Sequence, residues 1–287
     1  MPPVFEVAFD VRAGLGEGAL WDWRHGVLLS VDILAGRVLV GDPDDGSTHE
    51  IVVGQPVGAA LLQREHELLL AVRDGFASVD LRDDALTQGP RVEAEEPGMR
   101  MNDAACDPAG RCLAGTMEFD GSGRLGTVYR LDPDLSVRPV LDGFDVSNGI
   151  GWSLSGEAMY HIDSHRHRVD VYDYDAATGT PSNGRPLAAM DADQGLPDGL
   201  TVDAEGGIWV CFWDGAALRR YAPDGALTEQ LDFPAARPTK PAFGGPDLDR
   251  LYVTSATLDS GATDPGGAVF VAQPGVRGLP AHVFTPR

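Results

Sequence analysis

Four side chains carry a carboxylate or amide at one recurring register of this 287-residue chain: Glu17, Asn102, Asn148 and Asp198. Each stands directly before a short apolar stretch, and the equivalent positions in two further copies are Gly58 and Thr239. Carboxylate and amide oxygens are hard donors that suit Ca²⁺, Mg²⁺ or Mn²⁺. Two carboxylates would neutralise a divalent cation, and the amides would add neutral dipoles. Taken singly, Asn and Asp at such places also cap turns; their shared register is what favours a metal. Fifteen or sixteen residues further on lie Asp32, Arg73, Glu118, Asp163 and Asp214. Arg100, two residues before Asn102, and Glu118, which opens the loop Phe119–Arg124, would suit a polar, hydroxyl-bearing ligand beside the metal. The plain alternative for both is a solvated loop charge. His165 and His167 fall in a turn and read as surface histidines.

Those positions need a scaffold that repeats. A unit of apolar strand, polar turn and second apolar strand recurs six times at a spacing of 41 to 50 residues. Examples are Gly18–Trp21 with Val27–Leu29, Asp103–Cys106 with Cys112–Ala114, and Gly199–Val202 with Ile208–Val210. Turns such as Asp107-Pro-Ala-Gly110 carry the usual chain-reversing residues. Two more strand candidates follow each pair, as in Gly126–Leu131 and Val137–Val140. Four short antiparallel strands at that period are the blade of a β-propeller. The expectation is an all-β, six-bladed propeller forming one domain over residues 1–287. Inner strands that run in the same sense bring the six register positions to one mouth of the central channel. The ring is expected to close through Val4–Phe9, which would complete the last blade beside Ala268–Val271 and leave no open edge; His282–Phe284 competes for that place. Residues 59–74 contain no Gly or Pro and also fit a helix, but the repeat puts a hairpin turn at 63–67.

Composition agrees. Thirty-two Asp against 12 Glu, with 36 Gly and 21 Pro, favour turns over helices. The net charge of −22 argues against nucleic acid and an anionic membrane as partners. Lys240 is the only lysine among 22 basic residues, which we give no functional weight. The N-terminal residues lack the pattern of a signal peptide, and no 18-residue apolar run is present. Cys106, Cys112 and Cys211 read as reduced, small apolar residues, and the cytoplasm is the expected compartment.

The motifs Gly16–Trp21, Arg100–Asp103, Ala114–Met117, Ser147–Ser153 and Leu196–Asp203 resemble, in order and over essentially the whole chain, the SMP-30/gluconolactonase/LRE family of regucalcins and sugar lactonases. The resemblance implies a six-bladed propeller with one axial divalent metal, calcium first, with zinc, manganese or magnesium as alternatives. It implies Glu17, Asn148 and Asp198 as metal ligands, Asn102 beside the metal, and Arg100 with Asn102 on the sugar. It also implies Asp198 as general base. Ala19 stands where the family often has Pro, and the loop 118–125 matches poorly, which leaves the role of Glu118 in substrate binding open.

The implied reaction is hydrolysis of a small-molecule sugar lactone to the aldonic acid. A cation would polarise the carbonyl, and a carboxylate would take the proton of water; attack by metal-bound hydroxide is the alternative to a base at Asp198. No Gly-x-Ser-x-Gly elbow is present, which disfavours a serine nucleophile. Two other readings stay open: a phosphotriesterase-type hydrolase of the same fold, and a non-catalytic propeller that binds calcium or a partner. The sequence leaves the oligomeric state undetermined.

Overall fold

A computed structural model describes residues 3–121, 123, 126–258 and 263–287. They form six four-stranded antiparallel sheets. The inner strands are Gly16–Asp22, Val57–Leu62, Met99–Cys106, Ser147–Trp152, Leu196–Val202 and Pro238–Gly244, which number blades one to six. Each inner strand touches the next, and the sixth touches the first. The six sheets therefore stand round one axis as a six-bladed β-propeller. The strand Glu6–Phe9 is the outer strand of blade six, paired antiparallel with Val269–Ala272.

Alternation along the strands explains the arrangement. In blade one, Leu29 and Val31 of the second strand and Val38 of the third face blade two, where they meet Ala60, Leu62, Leu68 and Leu70. Equivalent apolar layers fill the other inter-blade spaces, and Trp21 of blade one stacks on Tyr252 of blade six with ring centroids 5.7 Å apart. Burying both faces of every sheet in this way is what makes short strands stable without helices.

The segment 59–74 is a hairpin: Val57–Leu62 pairs with Glu67–Val72 across the turn at Gln63. Among the described residues the helical structure is two short 3₁₀ turns, Ser164–Arg166 and Ala192–Gln194, and no helix is long and apolar enough to cross a membrane. Cys106 lies opposite Cys112 across a hairpin, and both are free buried thiols, as is Cys211.

The tail His282–Phe284 takes a different course from strand pairing in blade six. It crosses the channel end opposite the register positions. Phe284 is 1% exposed and donates its N–H to Leu62 O, and Thr285 donates to Gly110 O. The turns at that end are held by buried aspartates. Asp203 accepts N–H bonds from Glu205, Gly207 and the Trp209 indole at 2.8–2.9 Å and pairs with Arg220.

Candidate active site

All six inner strands begin earlier than the apolar pattern indicates, so the register positions lie inside them. Glu17 is the second residue of its strand, Asn148 the second and Asp198 the third. The reason is a shift of register at the same place in every blade. It falls between Glu17 and Leu20, Val57 and Ala59, Met101 and Ala104, Asn148 and Ile150, Pro197 and Leu200, and Pro238 and Pro241. A β-bulge interrupts the ladder and re-aims a side chain. Repeated six times, it sets one register position per blade beside the channel.

Glycines permit the crowding that results. A Cβ on Gly149 would come within 2.9 Å of Asp198 O, and one on Gly199 within 2.7 Å of Thr239 O. Gly58 occupies the register position of blade two because a Cβ there would stand 2.0 Å from Asn102 O. Blade two thus contributes no side chain to the ring. Thr239 of blade six is turned away from it, donating its hydroxyl to Gly16 O at 2.6 Å.

Glu17, Arg100, Asn102, Asn148 and Asp198 line one cleft at this mouth, and each is about 95% buried. The two asparagines differ. Asn102 is committed at both ends: its Oδ1 accepts from Arg100 Nη1 at 2.7 Å, and its Nδ2 donates to Ser147 O at 3.0 Å. Asn148 donates from Nδ2 to Ser164 Oγ at 3.2 Å, while its Oδ1 is buried without a hydrogen-bond partner. A buried acceptor in that state costs about 1–3 kcal/mol unless something occupies it.

The two carboxylates are buried as deeply, and Glu17 accepts the N–H of Gly18 at 3.0 Å. Burial, and then the negative charge of Asp103, pushes the Glu17 carboxyl up to about 7. Burial, followed by the charges of Glu17 and Asp103, raises Asp198 well above the usual carboxylate range, against a hydrogen bond from Asn148. Two buried carboxylates and a free amide oxygen are short of one cation, and they fit a hard divalent ion. Among the described residues no three of His, Cys, Asp and Glu cluster as a metal-binding set; the donor set here is two carboxylates and an amide.

Arg100 has capacity to spare. Its Nη1 bonds to Asn102 and to Met101 O, its Nε is buried without a partner, and burial lowers its pKa to about 10. Glu118 ends the second strand of blade three and stands outside the cleft wall. Its Oε2 is buried without a partner, at the place a Cβ on Gly123 would occupy. Ser122, Arg124 and Leu125 of the following loop lie outside the described residues. His165 lines the cleft, and His167 takes the left-handed conformation that ends a 3₁₀ turn.

Two of the acidic residues further along act as braces. Asp32 accepts the N–H groups of Gly14 and Leu15 at 3.0 and 3.2 Å, and Asp163 accepts those of Asp145 and Val146 at 3.1 and 3.2 Å. Each fixes the segment entering an inner strand, and so the placement of Glu17 or Asn148. Burial alone would raise the Asp32 carboxyl, but Arg37 and those N–H groups outweigh it and hold it low.

Sequence reasoning missed what lies deeper in the channel. Lys240 of blade six and Asp103 of blade three form an ion pair across it, at 7% and 4% exposure. The solitary lysine was the available signal. Beyond this pair, the opposite mouth opens into a second cavity walled by apolar residues such as Leu61, Trp152 and Phe243 and roofed by Leu279–His282.

The family described as SMP-30/Gluconolactonase/LRE-like region matches residues 15–257. Regucalcin of Xenopus laevis is 35% identical over 282 residues, 94% of either chain. A Bacillus subtilis protein provisionally named as a sugar lactone lactonase, YvrE, is 36% identical over 86% of this chain and 85% of its own. The crystal structure of a calcium-binding protein, regucalcin from Agrobacterium tumefaciens, superposes with a TM-score of 0.95 at 27% identity, covering 99% of this chain and 98% of that one.

Proposed function

Since the chain belongs to the SMP-30/Gluconolactonase/LRE-like family, we propose that it is a divalent-metal-dependent hydrolase that opens a sugar-type lactone to the hydroxy acid. The observation that carries this reading is the cation deficit at one mouth of the channel: Glu17, Asp198 and the unpartnered Asn148 oxygen, all buried, beside an arginine with free donors. Calcium is the first candidate, with zinc, manganese and magnesium as alternatives; Glu17, Asn148 and Asp198 would hold it. A bound cation would polarise the lactone carbonyl and stabilise the oxyanion that forms as water attacks.

The side chains divide the remaining work. Asp198, buried in the wall of the cleft, takes the proton of the attacking water. Arg100 donates from its free nitrogens to oxygens of the substrate, and Asn102 holds the guanidinium in place. Asn102 is itself anchored to blade four through Ser147 O, so the donor stays fixed when the cleft empties. Glu118, at the end of the second strand of blade three, is the further candidate for substrate contact, at the edge of the site.

Turnover of an aldonolactone, measured before and after chelation and on return of single divalent ions, tests the reading. Activity lost on chelation and restored by one ion is the expected result. Calorimetry on Glu17→Gln should show weaker cation binding independently of any substrate. Turnover that is indifferent to chelation, or equal cation affinity in wild type and variant, overturns the metal assignment. Turnover of an organophosphate ester but no lactone moves the chemistry to phosphotriester hydrolysis. Cation binding with no turnover of either leaves a binding propeller.

A further inference from the structure

The cleft is not equally polar all the way round. On the side of blades five, six and one, its described wall is Leu196, Trp213, Leu258, Leu15, Ile33 and Leu34. Apart from the ring carboxylates Glu17 and Asp198, the described residues on that side are all apolar. On the side of blades three and four the polar side chains Arg100, Asn102, Asp120, Ser164 and His165 stand among the apolar Met117, Phe119 and Val146. Because blades follow one another round the axis, the two sets face each other across the ring.

The apolar side also reaches the surface. Leu34 is 48% exposed and Leu258 39%, and Phe119 on the facing rim is 42% exposed. A single exposed apolar side chain needs no explanation. Three on the rim of one cleft do. The Trp213 ring is held in place by Arg237, whose guanidinium carbon lies 4.7 Å from the ring centroid and whose Nε bonds to Asp214 at 2.6 Å. Trp213 is therefore braced within the apolar side.

A fully hydroxylated sugar lactone would press several hydroxyls against that surface without partners. Resting on the lactonase reading above, we infer that the preferred substrate is a one-sided lactone. It carries hydroxyl groups on the edge that meets Arg100 and Asn102, and an alkyl, aryl or deoxygenated edge that lies on Leu34, Leu258 and Trp213. Discrimination follows from the walls: an apolar pocket gains roughly tenfold or more per methylene it accommodates.

The test compares kcat/KM for glucono-δ-lactone with that for a δ-lactone bearing a five-carbon alkyl chain, using the metal-loaded protein. The alkyl lactone should be preferred by about tenfold or more. Leu34→Asn with Leu258→Asn should bring the ratio back toward one. Both leucines are half-exposed, so the variant is expected to fold, and Leu154→Asn, in an exposed turn at the other end of blade four, should leave the ratio alone. A ratio at or below one in wild type, or a ratio that ignores the double variant, overturns the one-sided substrate while leaving lactone hydrolysis standing. If neither lactone is hydrolysed, calorimetry with the alkyl lactone decides. Binding that weakens in the double variant upholds the apolar wall and sinks the hydrolase reading; no binding sinks both.

Discussion

Replacing Lys240 by methionine isolates the charge that lies beneath the ring. The substitution keeps an unbranched stem, which matters because Lys240 Cδ packs where a Cβ on Gly199 would fall, 2.5 Å away. What it removes is the cation paired with Asp103, a carboxylate only 4% exposed. At about 4 Å and an effective dielectric of about 20, such a pair attracts by roughly 4 kcal/mol, and breaking a buried pair from one side costs about 3–5 kcal/mol. For a chain of this size that corresponds to a drop in Tm of roughly 6–20 °C. Adding Asp103→Asn removes the stranded charge and should recover most of the loss. Cation affinity should move the other way. The positive charge of Lys240 favours the ionised forms of Glu17 and Asp198 and repels a cation held between them. Its removal should leave divalent-ion affinity equal or tighter. Chemical denaturation and calorimetry on the single and double variants measure both effects. A single variant that loses less than about 1 kcal/mol would falsify the buried-pair argument. A tenfold weaker cation affinity would show instead that the lysine positions the ligands.

Arg100→Ala should lower kcat/KM on the preferred lactone by about 10- to 150-fold, the value of a charged hydrogen bond, with cation affinity nearly intact. Asp198→Asn should nearly abolish turnover and weaken the ion as well; steady-state kinetics beside calorimetry separates the two. His161 is buried against Ser147, and burial, with Arg166 adding to it, holds its pKa down to about 3. The unfolded chain takes up that proton near pH 6.5, so the contribution of His161 is complete above pH 6.5 and falls by about 1.4 kcal/mol per pH unit toward pH 3. Urea denaturation across that range should show a shallower loss in His161→Gln than in wild type; parallel curves would remove His161 from the account. Asp203→Ala strands the N–H groups of Glu205 and Gly207, the Trp209 indole N–H and the Arg220 guanidinium. It should cost about 3–5 kcal/mol in the same assay.

The blade repeat was legible because each unit obeys its own local pattern, and the ring positions because chemistry recurs at one register. The strand starts were not. A bulge hides the period-two alternation at the place where the ligands sit, so Gly16–Glu17 or Pro197–Asp198 look like the tail of a loop. The apparent helix at 59–74 shows the converse: Leu61–Leu62 and Leu68–Leu70 are apolar on every side because blade two is buried on both faces. Asp32 and Asp163 were visible as acidic residues at the right mouth, but whether a carboxylate takes a metal or two backbone N–H groups depends on the neighbouring segment. Lys240 and Asp103 are 137 residues apart, and only the closed ring brings them together. The apolar side of the cleft drew on residues such as Leu34 and Leu258, which nothing local distinguishes from ordinary surface leucines.

Setting the proposed metal ligands on bulges has a consequence for how such a protein can change. The inter-blade layers hold the ring together, and Glu17, Asn148 and Asp198 take no part in them. Their side chains line the cleft and, without an ion, burden the fold with buried carboxylates and an unpartnered amide oxygen. Affinity for the sheet and affinity for the ligand are thus written in different residues. A lineage can rewrite Glu17, Asn148 and Asp198, or the apolar rim above them, and leave the scaffold's stability intact or improved. Chemistry of this kind is exchangeable in the way a tool is exchangeable in a chuck: the grip is the bulge, and it stays the same whatever it holds.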